Sequence, residues 1–307
     1  MRGGGVVQFQ AEDAGAGGMR AAAFVLAALL AVTAAHAAPV STTDDLGNTI
    51  TLPQPARRVV SLAPHLTELA YAAGGGAALV GVGRYGDYPA AVRKLPQVGD
   101  AYALNLEAIA ALKPDLVLLW GSGTNERAKA QLRALRIPVY ESEIRSVEGI
   151  ASALRAIGAL LGTEPAAQAA AGQLQLDWQS LGEQYAKRAP VRVFYQLWHE
   201  PLMTLNGEHL ISSAIATCGG VNVFATLPTL TSTVSWEAAV KADPQLIATA
   251  GAQADDAHLE GWQRFSSRVS AVRDGRYALL PGELIARMGP RFVLGARQLC
   301  EAIDKVR

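Results

Sequence analysis

The 307-residue sequence has little cysteine, few aromatic residues and no net charge, and these shortages exclude several classes of protein. Two cysteines are too few for a disulfide-rich secreted scaffold. Lysine plus arginine number 27, as do aspartate plus glutamate, so nothing predicts a nucleic-acid partner or a polybasic membrane contact. Half of the residues are hydrophobic, which supplies a sizeable core. The composition predicts a neutral globular chain of two domains or one large α/β domain.

The sequence also lacks the short motifs of common hydrolases and nucleotide-binding enzymes. It contains no H-E-x-x-H, no G-x-S-x-G and no G-x-x-x-x-G-K-[ST]. Beyond residue 37 four histidines remain, and none has metal-ligand spacing to another: His65, His199, His209 and His258. We therefore expect no enzymatic activity, no catalytic residue, no metal site and no cofactor. A secreted metal-dependent hydrolase is the alternative that these absences disfavour.

The N-terminal segment predicts the compartment. The sequence MRAAAFVLAALLAVTAAHA, which begins at Met19, has a basic start and an apolar core that is too short and alanine-rich for a membrane span. Ala35, His36 and Ala37 form an A-x-A cleavage site, so we interpret residues 1–37 as a signal peptide, with Met1 and Met19 as the two candidate starts. No cysteine stands at the cleavage site, so we expect a periplasmic protein that is soluble after cleavage. An uncleaved anchor is the alternative.

Strand and helix patterns alternate along the first half of the chain. Short apolar runs predict strands, and glycine or proline ends the helical patterns between them. The predicted strands are residues 59–62, 79–83, 116–119 and 137–140, preceded by an alternating strand through Ile50 and Leu52. This order predicts a parallel sheet with helices on its faces.

The same order returns after a helical segment. Residues 146–187 are rich in Ala, Leu, Gln and Glu with helical spacing and a break at residues 162–165, and the strand pattern resumes at Val191. The fold class is therefore α/β, with two similar Rossmann-like lobes that have parallel sheets, one long rigid helix joining them, and a ligand cleft between the lobes. The predicted boundaries are 38–145 for the first lobe, 146–188 for the helical segment and 189–307 for the second lobe.

A repeated glutamate marks both lobes. Asn105 begins NLEAIAALKPDLVLLWG, and Ser235 begins the related SWEAAVKADPQLIATAG, so Glu107 and Glu237 lie 130 residues apart, too far for a solenoid repeat. Each occupies the second position of a capped helix, where the helix dipole favours a carboxylate by about 0.3–1 kcal/mol. That effect explains each glutamate separately. One carboxylate in each lobe also suits docking onto a two-fold partner that presents matching arginines.

Several stretches resemble one receptor family. They are SLAPHLTELAYAAG, RYGDYPA, LNLEAIAALKPDLVLLW, CGGVNVF, SWEAAV and PRFVLGARQLCEAI, and the match runs from about Arg57 to the end. The sequence resembles the periplasmic cobalamin-binding receptors of bacterial ABC importers, within the wider helical-backbone receptors for metal-chelate ligands. The resemblance implies a monomeric substrate-binding protein that delivers cobalamin or a related corrinoid to a dimeric permease with ATPase subunits.

The resemblance also assigns residues. It implies that Glu107 and Glu237 dock onto permease arginines and that Cys218 and Cys300 form a disulfide bond; a reactive thiol is the alternative for the cysteines. It implies that Tyr85 and Trp120 contact the corrin ring, and the further candidate contacts are Tyr102, which could substitute for a family tryptophan, Met203, which replaces a family aromatic, Trp198 and Arg287. Arg287 would reach the amide side chains of the ligand or hold a salt bridge between the lobes. The family has more aromatics at the positions of Ala101, Thr231, Leu284 and Ile285.

Two other ligands and one other class stay open. Haem would need a tyrosine or histidine on iron, which His199 or Tyr85 could supply, and an anionic ferric siderophore would need arginines, of which only Arg84 and Arg287 are candidates. A structural or adhesive protein would not explain aromatic residues at strand ends. We expect Trp178, Trp262 and Phe292 to be packing residues, whereas Trp236 could contact either the permease or the core.

Overall fold

The computed structural model describes residues 38–100, 103–185, 187–251 and 259–307, together with residues 1, 3–6 and 8. The chain divides into two compact units, Met1–Ala38 and Pro39–Arg307, and every element below belongs to the second. The predicted signal peptide from Met19 to the cleavage site lies outside the described residues, as do Ala101, Tyr102 and His258.

The first lobe contains a parallel four-stranded sheet in the order β4-β3-β5-β6. Its two central strands are buried along almost their whole length, because helices cover both faces of a parallel sheet. Its elements are β3 (Val59–Ser61), α1 (Pro64–Ala70), β4 (Leu79–Val82), α2 (Leu106–Ala111), β5 (Leu116–Trp120), α3 (Glu126–Ala134) and β6 (Val139–Ser142). A π-helical turn, Tyr71–Gly75, extends α1.

Two helices connect this lobe to the second. They are α4 (Val147–Leu161) and α5 (Glu164–Tyr185), separated by Gly162, whose positive φ of 65° ends α4 in the left-handed conformation. The 22 residues of α5 contact the π-helical turn of the first lobe and two helices of the second, α6 (Leu210–Thr217) and α10 (Phe292–Asp304). The predicted long helix that joins two lobes is therefore confirmed.

The second lobe repeats the parallel four-stranded sheet, in the order β12-β11-β7-β9. Its further elements, in chain order, are β7 (Val191–Gln196), β8 (Met203–Leu205), β9 (Gly220–Asn222), β10 (Thr231–Thr233), α7 (Trp236–Lys241), β11 (Leu246–Gly251), α8 (Ser270–Arg273), β12 (Tyr277–Pro281) and α9 (Gly282–Ile285). The α/β fold with two parallel sheets is as predicted, while the exact lobe boundaries stay a prediction.

Two antiparallel strand pairs supplement the sheets: β1 (Val40–Thr43) with β2 (Thr49–Leu52), and β8 with β10. The alternation predicted through Ile50 and Leu52 is confirmed, since both side chains are buried and their neighbours in β2 are exposed. The carboxylate of Asp45 fixes this hairpin to the first lobe by accepting hydrogen bonds from the Tyr140 hydroxyl and the Glu143 backbone N–H.

The two glutamate-bearing helices, α2 and α7, end in the same way. Lys113 and Asp243, each followed by proline, take positive φ angles of 46° and 40°. The Arg58 guanidinium donates to the carbonyl oxygens of Leu112 and Lys113, and the Arg192 guanidinium donates to that of Asp243. These bonds satisfy carbonyl groups that the end of a helix leaves without partners. The internal repeat thus extends from sequence to backbone conformation.

Some elements differ from the prediction. The strand expected at residues 137–140 is Val139–Ser142, because Pro138 lacks the N–H that a ladder position needs. The sequence analysis did not foresee α3 or β12. In the described part of the chain, no helix is both long enough and apolar enough to cross a membrane.

Candidate ligand-binding site

The predicted ligand residues lie at the carboxyl ends of strands from both lobes. Trp120 is the last residue of β5, Tyr85 lies in the loop after β4, and Trp198 follows β7. Met203 opens β8 and pairs with Trp198 through an antiparallel bridge, so these two residues are brought together. Ligands of open α/β sheets bind at this edge.

A cavity of about 140 Å³ is lined by residues of both lobes. Trp120, Ser122 and the segment 143–145 line it from the first lobe. The second lobe contributes Glu208, His209, Leu210, Ile211, Leu230, Ile285, Ala286 and Met288. A larger groove of about 670 Å³ lies beside α10 and includes the start of β12, and none of the predicted ligand residues lines it. The smaller cavity therefore belongs to the candidate site.

His65 contacts Trp120 edge to face, with ring centroids 5.6 Å apart and an interplanar angle of 89°. His65 Nε2 and Trp120 Nε1 are both buried and have no hydrogen-bond partner among the described residues. Burial, and then the positive charge of Arg287, lowers the pKa of His65 to about 3. The imidazole is therefore neutral near pH 7, and His65 is the second residue of α1.

Arg287 lies between the lobes and pairs with two carboxylates of the first lobe. Its guanidinium donates to Glu68 Oε1 at 3.0 Å and to Asp87 Oδ1 at 2.9 Å. Arg291 donates to both oxygens of the same Glu68, at 2.7 and 2.9 Å, and lies 3.7 Å from the centre of the Tyr88 ring. The salt bridge that the sequence offered as an alternative role for Arg287 is thus present, and its contact with the ligand stays a prediction.

The sequence analysis missed Glu68 and Arg291. A usable indication was present, because Glu68 is a single charged residue within the otherwise uncharged helical stretch PHLTELAYAAG. Its side chain is 2% exposed, and a buried carboxylate requires a partner. Burial opposes ionisation of Asp87, but the hydrogen bond and charge of Arg287 prevail and lower the pKa of Asp87. The hydrogen bond with Glu68, and then the charge of Glu68, raises the pKa of Arg291 against the opposing effect of burial.

Tyr85 and Trp198 are the exposed aromatic residues of the site, with 68% and 50% of their surface accessible. Tyr85 has a positive φ of 67°, which is uncommon for a residue other than glycine. The Trp198 indole N–H donates to the Glu200 carbonyl oxygen at 2.8 Å, and its ring lies 5.1 Å from that of His199. The polar edge of Trp198 is thereby satisfied, while half of the surface of its side chain is accessible.

The arginines that the sequence offered for an anionic ligand are both engaged. Arg84 lies 3.6 Å from Asp100, and Arg287 is bonded to Glu68 and Asp87. These pairs reduce the positive charge available to a ferric siderophore. Within the described residues, no group of three or more His, Cys, Asp and Glu is placed to hold a metal ion.

Glu107 and Glu237 are both exposed and occupy the first turns of α2 and α7. Asn105 and Ser235 cap these helices by accepting hydrogen bonds from Ala108 N and Ala238 N. Hydrogen bonds from the backbone N–H of Glu237, and then from the Ser235 hydroxyl, lower the pKa of the Glu237 carboxyl group. Each helix precedes a parallel strand, so its N-terminus lies toward the carboxyl ends of the strands, on the side that holds the ligand residues.

Cys218 and Cys300 form a disulfide bond, as the resemblance implied. It links the end of α6 to α10 within the second lobe. Trp262 is fully buried, and Trp178 packs against Phe292, in agreement with their expected packing roles.

Trp236 is half-buried beside the second glutamate. Its ring packs edge to face on Trp262 at 5.1 Å, and the Arg264 guanidinium lies 4.6 Å from its centre. The structure thus gives Trp236 a core contact, while contact with a permease stays a prediction.

Two α/β lobes with aromatic side chains at facing strand ends define a two-lobed ligand-binding protein. Residues 59–284 match the family described as periplasmic binding protein, and the chain belongs to this family.

Curated relatives include the vitamin B12-binding proteins of Vibrio cholerae serotype O1 and Yersinia pestis. The first is 36% identical over 248 residues, which cover 81% of this chain and 89% of the relative. The second is 36% identical over 258 residues, which cover 84% of this chain and 90% of the relative. Each spans both lobes, so the similarity is not confined to one of them.

Solved structures of the same fold include the periplasmic vitamin B12 binding protein BtuF of Vibrio cholerae. It has a TM-score of 0.75 and 35% identity, and the match covers 82% of this chain and 98% of BtuF. The periplasmic heme-binding protein BhuT, solved with two hemes, has a TM-score of 0.71 and 24% identity over 81% of this chain and 98% of BhuT. At that identity the second comparison shows the fold alone.

Proposed function

We propose that this protein captures cobalamin or a related corrinoid in the periplasm and delivers it to the permease of an ABC importer. The observation that carries the proposal is the set of aromatic residues at strand ends of both lobes, combined with cleft arginines that carboxylates already engage. This combination suits a large flat ligand with an uncharged amide fringe better than an anionic one. The 36% identity to vitamin B12-binding proteins supports the same ligand.

In this proposal Tyr85, Trp120 and Trp198 hold the corrin ring by stacking and edge contacts, with Met203 packed beside them. Tyr102 would belong to the same set. Arg287 keeps its inter-lobe pairs and turns its remaining N–H groups toward the amide side chains of the ligand. The protein performs no chemistry on the corrinoid and needs no cofactor.

Delivery depends on the two exposed glutamates. Glu107 and Glu237 dock onto arginines of a dimeric permease, one glutamate from each lobe, while ATPase subunits drive release. Their helices begin on the side of the sheets that holds the ligand residues, so docking would place the cleft over the permease. The proposal includes export by a signal peptide at residues 1–37 and function as a monomer.

Haem is the alternative ligand. His199, half-buried beside the Trp198 ring, would then supply the iron ligand, or Tyr85 would do so. The haem-binding relatives share the fold, which keeps this alternative testable.

The test is titration of residues 38–307 with cyanocobalamin and separately with hemin, by calorimetry with a visible spectrum at each endpoint. We expect stoichiometric binding of cyanocobalamin and no stoichiometric hemin complex. Failure to bind cyanocobalamin, together with a shifted Soret band for hemin, would overturn the corrinoid proposal and retain the fold.

A second test separates docking from ligand binding. The double variant Glu107→Arg with Glu237→Arg should bind cyanocobalamin with unchanged affinity and abolish uptake in cells that depend on the importer. The matched control reverses two exposed glutamates elsewhere, Glu183→Arg and Glu301→Arg, and should leave both properties unchanged. Loss of affinity in the docking variant would show that these residues act in the ligand site instead.

A further inference from the structure

A backbone hydrogen bond determines which nitrogen of the His209 ring accepts and which one donates. It is the N-cap of α6, and its Nδ1 accepts a hydrogen bond from the Ile211 backbone N–H at 3.1 Å. An accepting Nδ1 carries no proton, so the proton of the neutral ring is on Nε2. Burial lowers the pKa of His209 to about 4, so the ring is neutral near pH 7. The side chain therefore presents one fixed N–H donor.

This ring lines the cavity between the lobes, whose first-lobe wall includes Trp120. Within the described residues, no group accepts a hydrogen bond from His209 Nε2. The volume of about 140 Å³ has room for about four water molecules or for a group the size of one benzene ring. Water can satisfy the donor in the free protein, and a ligand group that enters the cavity can replace that water.

The charges around the cavity restrict the acceptor. Two carboxylates, Glu143 and Glu208, line it together with one cation, Arg145, whose guanidinium lies 3.5 Å from Glu143. The formal charge of the lining is therefore negative, which disfavours a phosphate or carboxylate of the ligand. An uncharged carbonyl oxygen accepts from an imidazole N–H without that repulsion.

Resting on the corrinoid-binding function proposed above, we propose that His209 is a specificity-determining residue whose Nε2–H donates a hydrogen bond to a carbonyl oxygen of a corrin amide side chain. The amide enters the cavity that Trp120 and His209 both line, so the ligand is held by stacking on Trp120 and by one directed hydrogen bond.

The chain offers a variant that removes the donor and keeps the cap. In His209→Ser the hydroxyl can still accept from the first-turn N–H groups of α6, because serine is a preferred N-cap residue. We expect Kd for cyanocobalamin to rise roughly three- to tenfold, the effect of losing one net hydrogen bond, and the melting temperature to stay unchanged. His209→Ala removes both functions and should raise Kd similarly while also lowering the melting temperature.

Dicyanocobinamide identifies the acceptor, because it retains the corrin amides and lacks the phosphate-containing nucleotide loop. His209→Ser should weaken its binding by the same factor. A loss confined to cyanocobalamin would overturn the amide assignment, and unchanged affinity for both corrinoids in a folded variant would overturn the role of His209. If the unsubstituted protein bound neither corrinoid, the proposed function itself would fail, and that result is distinct from both others.

Discussion

Replacing Glu68 with alanine tests whether the inter-lobe arginine cluster stabilises the fold. The Glu68 carboxylate accepts three hydrogen bonds, one from Arg287 and two from Arg291, and these cross from the second lobe to the first. The exposed fractions of the side chains are 2% for Glu68, 18% for Arg287 and 17% for Arg291. Alanine would leave two partly buried guanidinium groups without their shared counter-charge.

The structure sets the expected magnitude. Removal of one partner from a buried ion pair costs about 3–5 kcal/mol. Arg287 retains Asp87, and Arg291 retains the Tyr88 ring, so we expect a value near the lower limit, about 3 kcal/mol. For a protein of this size, that loss lowers the melting temperature by about 6–12 °C.

Calorimetric melting and urea unfolding of Glu68→Ala measure this loss, with the exposed Glu183→Ala as the matched control. Because the pairs are shielded from solvent, the difference should persist in 0.5 M salt. A destabilisation below about 1 kcal/mol, the range of exposed pairs, would refute the reasoning. It would show that desolvation of the charges cancels their attraction.

Three further predictions concern pH, the disulfide bond and the ligand. The pKa of His65 is about 3 in the folded protein against an ordinary 6.5. Its contribution to the free energy of unfolding is therefore complete above pH 6.5 and is lost as the pH falls toward 3, by roughly 1.4 kcal/mol per pH unit. Between pH 7 and 4.5 the free energy of unfolding, measured with urea, should fall less in His65→Leu than in the unsubstituted protein, and an equal fall would contradict the assignment. Replacing Cys218 and Cys300 by alanine frees a loop of 82 residues and should reduce the free energy of unfolding by about 2–4 kcal/mol. An unchanged free energy of unfolding in urea titrations would show that the disulfide bond does not stabilise the fold. Trp120→Ala should raise Kd for cyanocobalamin at least about 30-fold, as for a central aromatic contact, and calorimetry that shows less than a threefold change would remove Trp120 from the site.

Local patterns predicted the elements that depend on short-range interactions. The caps Asn105 and Ser235 form the expected hydrogen bonds, and Ile50 and Leu52 face the core as their alternation indicated. The break at Gly162 also lies where the pattern placed it. Capping, alternation and helix termination involve residues within about four positions of each other, which is why the sequence alone is informative about them.

Contacts between distant segments were harder to predict. The alternative of an inter-lobe salt bridge named Arg287, but no local pattern linked it to its partner Glu68, which lies 219 residues away. Likewise His209 had no spacing that indicated a role, because its contribution arises from a cavity that both lobes form.

The sequence by itself determined the α/β class, the two-lobe repeat with its paired glutamates and, through resemblance, the cysteine pairing, because these features rest on periodicity, spacing and residue type. Only the tertiary structure decided which arginines of the site are paired with carboxylates, which aromatic side chains stay exposed and which histidine lines the cavity between the lobes. Those properties depend on burial and on the partners that other segments of the chain bring within hydrogen-bond distance, and no local pattern records them.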